Sequence, residues 1–248
     1  MNGHTPFTSV LSFISLVCAV IFNYKNIAFS NEKSADEGNV KYLGKMINHQ
    51  WAKNSEFEKM FKAYAKKYLV PSTSSRQAIN YFSYLRKYGE LEISKMLTKY
   101  PQYFSVFSSC NEGMRINPPK AKAFRRTGGR PACNALPAAM TAVRLSSWRS
   151  NAGRWCGNCP KCLFVYMSLY PFLGKNELNI IFGKDIFDPS TSSGREKLLR
   201  IMKGLLGKGY IKPFECVGTK KESRLAFELC LKKARKIGKI PYLLAKLA

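Results

Sequence analysis

The sequence predicts a helix-rich α/β protein. Three observations lead there: an apolar helix runs into a short strand near the start, amphipathic segments broken by Gly and Pro follow, and three cysteines stand at two-residue spacing. Its 248 residues are enough to bury a core. An apolar fraction of 46% and an aromatic fraction of 13% exclude the disordered class. Charge is the unusual quantity: 41 Lys and Arg against 15 acids give a net +26, which draws the chain toward polyanions without specifying a fold.

Phe7 to Phe22 is an apolar run that resembles a targeting signal in composition only. The six residues before it hold no Lys or Arg, no small-x-small cleavage site follows, and sixteen residues fall short of a membrane span. The run therefore reads as a core helix, with Thr5 or Thr8 as N-cap, Pro6 in the first turn, and Leu11, Ile14, Val17, Cys18 and Ile21 facing the core. Asn26 to Phe29 follows as a strand. Asn2-Gly3-His4-Thr5-Pro6 has the character of a loop leaving an earlier strand, so an upstream part of the sheet is expected.

The polar loop after that strand, Ser30 to Asn39, carries Glu32, Asp36 and Glu37. Ligands in open α/β sheets bind at the carboxyl ends of strands, so these acids are candidates for a magnesium ion or an ammonium group, with a solvated turn as the alternative. His49 stands beside Trp51 and reads either as a packed core residue or as a catalyst. Phe57, Met60, Phe61, Tyr64, Ala65 and Tyr68 then recur at helical spacing until Pro71, and Ile79 to Tyr100 reads as a second helical region.

Cys156, Cys159 and Cys162, with Gly157 and Pro160 between them, form a tight knuckle whose sulfurs converge on one soft tetrahedral cation. A fourth ligand is required. Cys110 is the better candidate and Cys133 the weaker one. Without a secretory signal, and with Cys18 and Cys230 in apolar or isolated settings, a disulfide framework is disfavoured and a reducing, cytoplasmic compartment is expected. Zinc is preferred over an iron–sulfur cluster because Asn and Lys interrupt the knuckle.

Between Glu112 and Glu177 there is no acid, while eleven Lys and Arg fall in the interval. Residues 120–154 read as a basic, disordered insertion, or alternatively as a phosphate-gripping segment of a zinc-containing nucleic-acid-binding protein. Beyond the knuckle, Leu163 to Leu173, Asn176 to Phe182, Glu196 to Leu206 and Glu222 to Ile237 read as helices. Lys212 to Thr219 stands apart from them: a Lys, a carboxylate and a thiol ahead of a Gly-Thr turn can supply acid/base groups or an anion-binding helix start.

Taken together, Asn2 to Pro6, Phe29 to Glu32, Glu37 to Val40, Asn48-His49-Gln50, Tyr81-Phe82-Ser83, Ser109-Cys110-Asn111, Trp155 to Cys162, Phe182-Gly183 and Lys212 to Thr219 resemble the bacterial UDP-N-acetylmuramoyl-L-alanyl-L-glutamate epimerases. The cysteine layout is also similar to the zinc site of deazapurine-nitrile synthases among the ATP pyrophosphatases. The resemblance implies a partial ATP-pyrophosphatase-like sheet domain over residues 1–50 and a helical domain with a structural zinc site over 51–248. It implies an isomerase that uses ATP and Mg2+ to adenylate the terminal carboxylate of a UDP-linked muramoyl dipeptide before exchanging the α-proton. Its candidate catalytic residues are Cys216 with Glu215, then His49, and its candidate binding residues are Glu32, Glu37, Asn39 and Lys212.

The family's Gly-rich pyrophosphate loop, of Gly-Gly-x-Lys-Asp-Ser type, has no counterpart in the 248 residues, and residues 120–154 do not match the family. The first departure predicts an N-terminally truncated chain, inactive by itself, whose missing half is encoded elsewhere or lost.

Overall fold

In the computed structural model, residues 6–38, 40–68, 79–110, 112–113, 155–208 and 217–248 are described. They form two compact units, divided between Ile93 and Ser94.

The first unit begins with α1 (Phe7–Ile21), which starts at Pro6 without a side-chain cap; its first turn is closed by Ser9 Oγ donating to the Pro6 carbonyl at 2.6 Å. The inward face differs from the predicted one. Ser12, Leu16 and Ala19 are buried, whereas Leu11, Ile14, Val17 and Ile21 are exposed. A helix that is apolar on every side carries no phase information, so a polar contact sets its rotation: the Ser12 and Tyr81 hydroxyls meet at 2.9 Å.

Strand β1 (Asn26–Phe29) forms as expected, but its partner was not legible in the sequence. Residues 80–83, expected to be helical, form strand β4 (Asn80–Ser83), which pairs in parallel with β1 from Asn26↔Asn80 to Phe29↔Ser83. Tyr81 and Ser83 are buried on one face, the period of two that a strand imposes. Between these strands lie a hairpin, β2 (Val40–Tyr42) with β3 (Lys45–Ile47), and helix α2 (Ser55–Tyr68). Leu43 and Gly44 both take positive φ, which matches the twist of a two-residue hairpin turn.

Helix α2 presents Phe57, Phe61 and Ala65, one turn apart, to a core that also holds Leu16, Ala19, Ile27, Ala52 and Tyr81. Phe61 is central, with ring centroids 4.7 Å from Tyr81 and 5.0 Å from Phe13.

Helix α3 (Glu90–Leu97) spans the division between the units. In the second unit, α4 (Pro160–Leu169), α5 (Lys175–Phe182), α6 (Ser192–Leu206) and α7 (Lys220–Ile237) fall close to the predicted helices, and the short α8 (Tyr242–Ala245) follows without having been expected. Helix α4 packs against α5, α6 and α7, and seven of its ten residues are buried. Its exposed C-terminal carbonyls are met by Lys233, whose Nζ donates to Tyr170 O at 2.7 Å and to Leu173 O, charge placed where the helix dipole favours a cation. The start of α7 is closed by its own residues: Thr219 Oγ1 accepts from Glu222 N, and Glu222 Oε2 accepts from Thr219 N. That capping box occupies the helix start that the sequence offered for an anion. Among the described residues no helix is long and apolar enough to cross a membrane.

One ion-pair group gives the first unit a pH dependence. Burial raises the Glu58 carboxyl, but hydrogen bonds from Ser83, Lys62 and Arg86 outweigh it and hold the value near 2, below the ordinary 4.5. A depressed folded-state value contributes stability that is present above 4.5 and lost as pH falls toward 2. Acid titration of the wild-type chain should show that loss in this window, and Glu58→Gln should flatten it in urea midpoints measured between pH 5 and pH 2.

Candidate metal centre

The cysteine knuckle is built by the start of α4. Cys159 is the N-cap residue, with extended backbone, and Pro160 occupies the first helical position, where its missing N–H costs nothing. Cys162 lies on the first turn and points back toward Cys159, whose Sγ accepts from Cys162 N at 3.4 Å. Gly157, at φ +67°, reverses the chain so that Cys156 joins the same point. Cys110 arrives from the other side of residues 111–154 and is fully buried.

The four sulfurs lie within 4.8 Å of one another. Cys110 Sγ is 3.9 Å from Cys159 Sγ, and Cys156 Sγ is 3.7 Å from Cys162 Sγ. A tetrahedral ion with metal–sulfur bonds of about 2.3 Å requires sulfur–sulfur edges of about 3.8 Å. Disulfide bonding would need about 2 Å, and these cysteines are free. A cluster carries its own sulfides between the cysteines, so this spacing leaves room for one ion.

Backbone amides surround the sulfurs. Gly113 N and Cys156 N donate to Cys110, Gly157 N to Cys162, and Asn158 N to Cys156, at 3.2 to 3.4 Å. With the amide of Cys162 on Cys159, every sulfur has a donor, as a set of thiolates requires. The thiols perturb one another strongly. Hydrogen bonds from Cys156, Cys159 and Cys162 pull Cys110 far below the ordinary thiol range, while those to Cys110 push Cys159 and Cys162 far above it. The hydrogen bond with Cys110 raises Cys156, but those with Cys159 and Cys162 outweigh it and lower it to about 7, so two of the four crowded thiols ionise readily and two resist, a conflict that a bound dication removes.

The rest of the knuckle is supported by aromatic packing and one lysine. Trp155 stacks near Phe107 and Phe182, and its Nε1 donates to the Phe107 carbonyl at 3.2 Å. Lys184 Nζ donates to the Cys156 carbonyl, and its stem lies where a Gly157 side chain would have to go. This lysine was missed in the sequence, where only its place after the Phe182-Gly183 stop could have signalled it.

The other predicted residues lie elsewhere. Glu32 and Glu37 bracket the 3-10 turn Lys33–Asp36 after β1; Glu32 is partly buried and Glu37 exposed. His49, half-buried, is in a loop held against that turn by Asn48 Nδ2 donating to Ala35 O at 2.6 Å. Asp36 Oδ1 accepts from Ser55 N at the start of α2. Arg86, which the sequence analysis did not single out, organises this end of the sheet: it donates to the carbonyls of Glu32 and Lys53, to Ser83 Oγ, and to the carboxylates of Asp36 and Glu58. Cys216, Glu215, Lys212, Asn39, Cys133 and the basic stretch 120–154 lie outside the described residues.

Comparison with known proteins bears on the whole chain. A family model described as the MurL N-terminal domain matches residues 1–84, and one described as the MurL C-terminal domain matches residues 132–242, so the match takes in residues 132–154 of the stretch expected to lie outside the family. The chain belongs to the MurL family. Three curated relatives are named UDP-N-acetyl-alpha-D-muramoyl-L-alanyl-L-glutamate epimerase. The one from Xanthomonas oryzae pv. oryzae is 33% identical over 94% of this chain and 42% of its own length. Those from Salinispora tropica and a Micromonospora strain are each 30% identical over 92% of this chain, and over 40% and 41% of their own lengths. The chain therefore spans about two-fifths of the MurL relatives it matches. No solved structure matches it significantly.

Gly157→Ala places a side chain in left-handed backbone against Lys184. The variant is expected to lose about 1–3 kcal/mol of stability, read from the shift in its thermal melt followed by Trp fluorescence.

Proposed function

We propose that this MurL chain contributes to epimerising the terminal L-glutamate of UDP-N-acetylmuramoyl-L-alanyl-L-glutamate, in the cytoplasm. The observation that carries this reading is the alignment of 92 to 94% of the chain with three relatives named for that reaction. Bound ATP with magnesium would supply activation of the substrate carboxylate as an acyl adenylate, which makes the α-proton acidic enough to exchange.

The chain's own part is binding and proton transfer. Glu32 and Glu37 stand at the carboxyl end of β1, held in place by Arg86 and Asn48, where an α/β sheet collects its ligands. They are assigned to the substrate ammonium or magnesium, with Asn39 and Lys212 as further binding residues. Inversion needs a base on one face of the α-carbon and an acid on the other. Cys216 with Glu215 is the first choice for that pair and His49 the second. In the complete enzyme, Cys216→Ser is expected to lower deuterium incorporation from solvent at the α-carbon by about 100-fold or more. Undiminished exchange, read by mass spectrometry of the substrate, would exclude the thiol.

Cys110, Cys156, Cys159 and Cys162 are assigned to one structural zinc ion. Four thiolates fill a tetrahedral ion and leave no position for water, so the site holds the fold and takes no part in the chemistry. Energetics support the assignment. Closing the loop between Cys110 and Cys156 costs on the order of 4 kcal/mol, while zinc–thiolate binding contributes about 10–16 kcal/mol. Elemental analysis of protein purified without added metal should find one zinc per chain. Cys162→Ser should lose the metal and lower the melting temperature, and full occupancy in that variant would remove Cys162 from the ligand set.

A further inference from the structure

We propose that the outward face of α1 and the edge of the β1–β4 sheet are a docking surface for a strand-bearing segment equivalent to the part of the relatives that this chain does not span. The fifteen residues of α1 contain no charged side chain, yet only three are buried. Ile14, Val17 and Ile21 are 53%, 57% and 68% exposed, with Phe7, Val10, Phe13 and Val20 also open to solvent. Contiguous apolar surface of this kind marks an interaction site in a soluble protein. It contains a groove of about 240 Å³, lined by Phe13, Leu16, Val17, Val20, Ile21 and Tyr64.

The sheet makes the same demand. Parallel sheets are normally buried on both faces and extended by further strands, whereas β1 and β4 form a two-stranded sheet among the described residues. Two observations select the occupant. The relatives carry more than half their length outside the matched region, enough for a complete layer of strands and helices. A second copy fits less well, because two-fold pairing would join equivalent sheet edges antiparallel, against the parallel order of β1 and β4.

The test is co-expression of this chain with the unmatched portion of the Xanthomonas oryzae relative, the tag being on that portion. A 1:1 complex by light scattering is expected, with amide exchange in α1 slowed at least tenfold relative to the chain alone. Val17→Lys and Ile21→Lys, at exposed positions that leave the circular dichroism unchanged, should each weaken the complex at least tenfold. The proposal is overturned if no complex forms, or if both variants bind like the wild type. It is also overturned if the chain alone dimerises through this face, or if α1 is equally protected in the chain alone and so is covered from within. Every readout is binding without turnover, so failure here is distinguishable from failure of the epimerase reading.

Discussion

Four cysteine sulfurs packed within 4.8 Å of one another are the constraint on which the second unit depends. The arrangement fixes where the chain re-enters after residue 154, sets the first turn of α4, and through α4 positions α5, α6 and α7, which pack on it. Crowded thiols alone would oppose such convergence, since mutual hydrogen bonding and burial hold Cys159 and Cys162 protonated. The proposed zinc ion reverses the sign of that term. Five backbone amides already aimed at sulfur complete the argument, because amides donate best to thiolates.

Arg86 plays the comparable part in the first unit. A single guanidinium joins the loop after β1, the turn before α2, helix α2 itself and the end of β4. Its five donors in a rigid fork suit a point where several chain segments meet, and lysine could not reproduce the pattern. The loop bearing Glu32 and Glu37 is thereby held at the carboxyl end of the sheet without being buried by it, which is what a ligand-collecting edge needs. The proposed function places substrate there, while the metal centre serves only to hold its own unit.

Legibility followed the range of the interactions. The knuckle could be read because three cysteines and their turn residues are local, whereas Cys110 was only the better of two candidates until the fold brought its sulfur to the other three. Helices α5, α6 and α7 could be read because they carry an apolar face and clear stops at Gly183, Gly207 and Gly238, all at positive φ. Helix α1 could be located but not oriented, since it is apolar all round and its rotation rests on Ser12 meeting Tyr81, sixty-nine residues away. Residues 80–83 were misread because their aromatic spacing suits a helix as well as a strand until β1 supplies a partner.

The sequence by itself determined the composition class, the local three-cysteine knuckle, most helix positions and the MurL resemblance, because each of these is written in local spacing or in residue identity. Only the tertiary structure decided which face of α1 is buried, that residues 80–83 are a strand, and that Arg86 and Lys184 brace the two sites. It also tied the Asp36 carboxylate to the start of α2. Those outcomes depend on which distant groups meet, and a hydrogen bond between residues fifty apart leaves no periodicity along the chain.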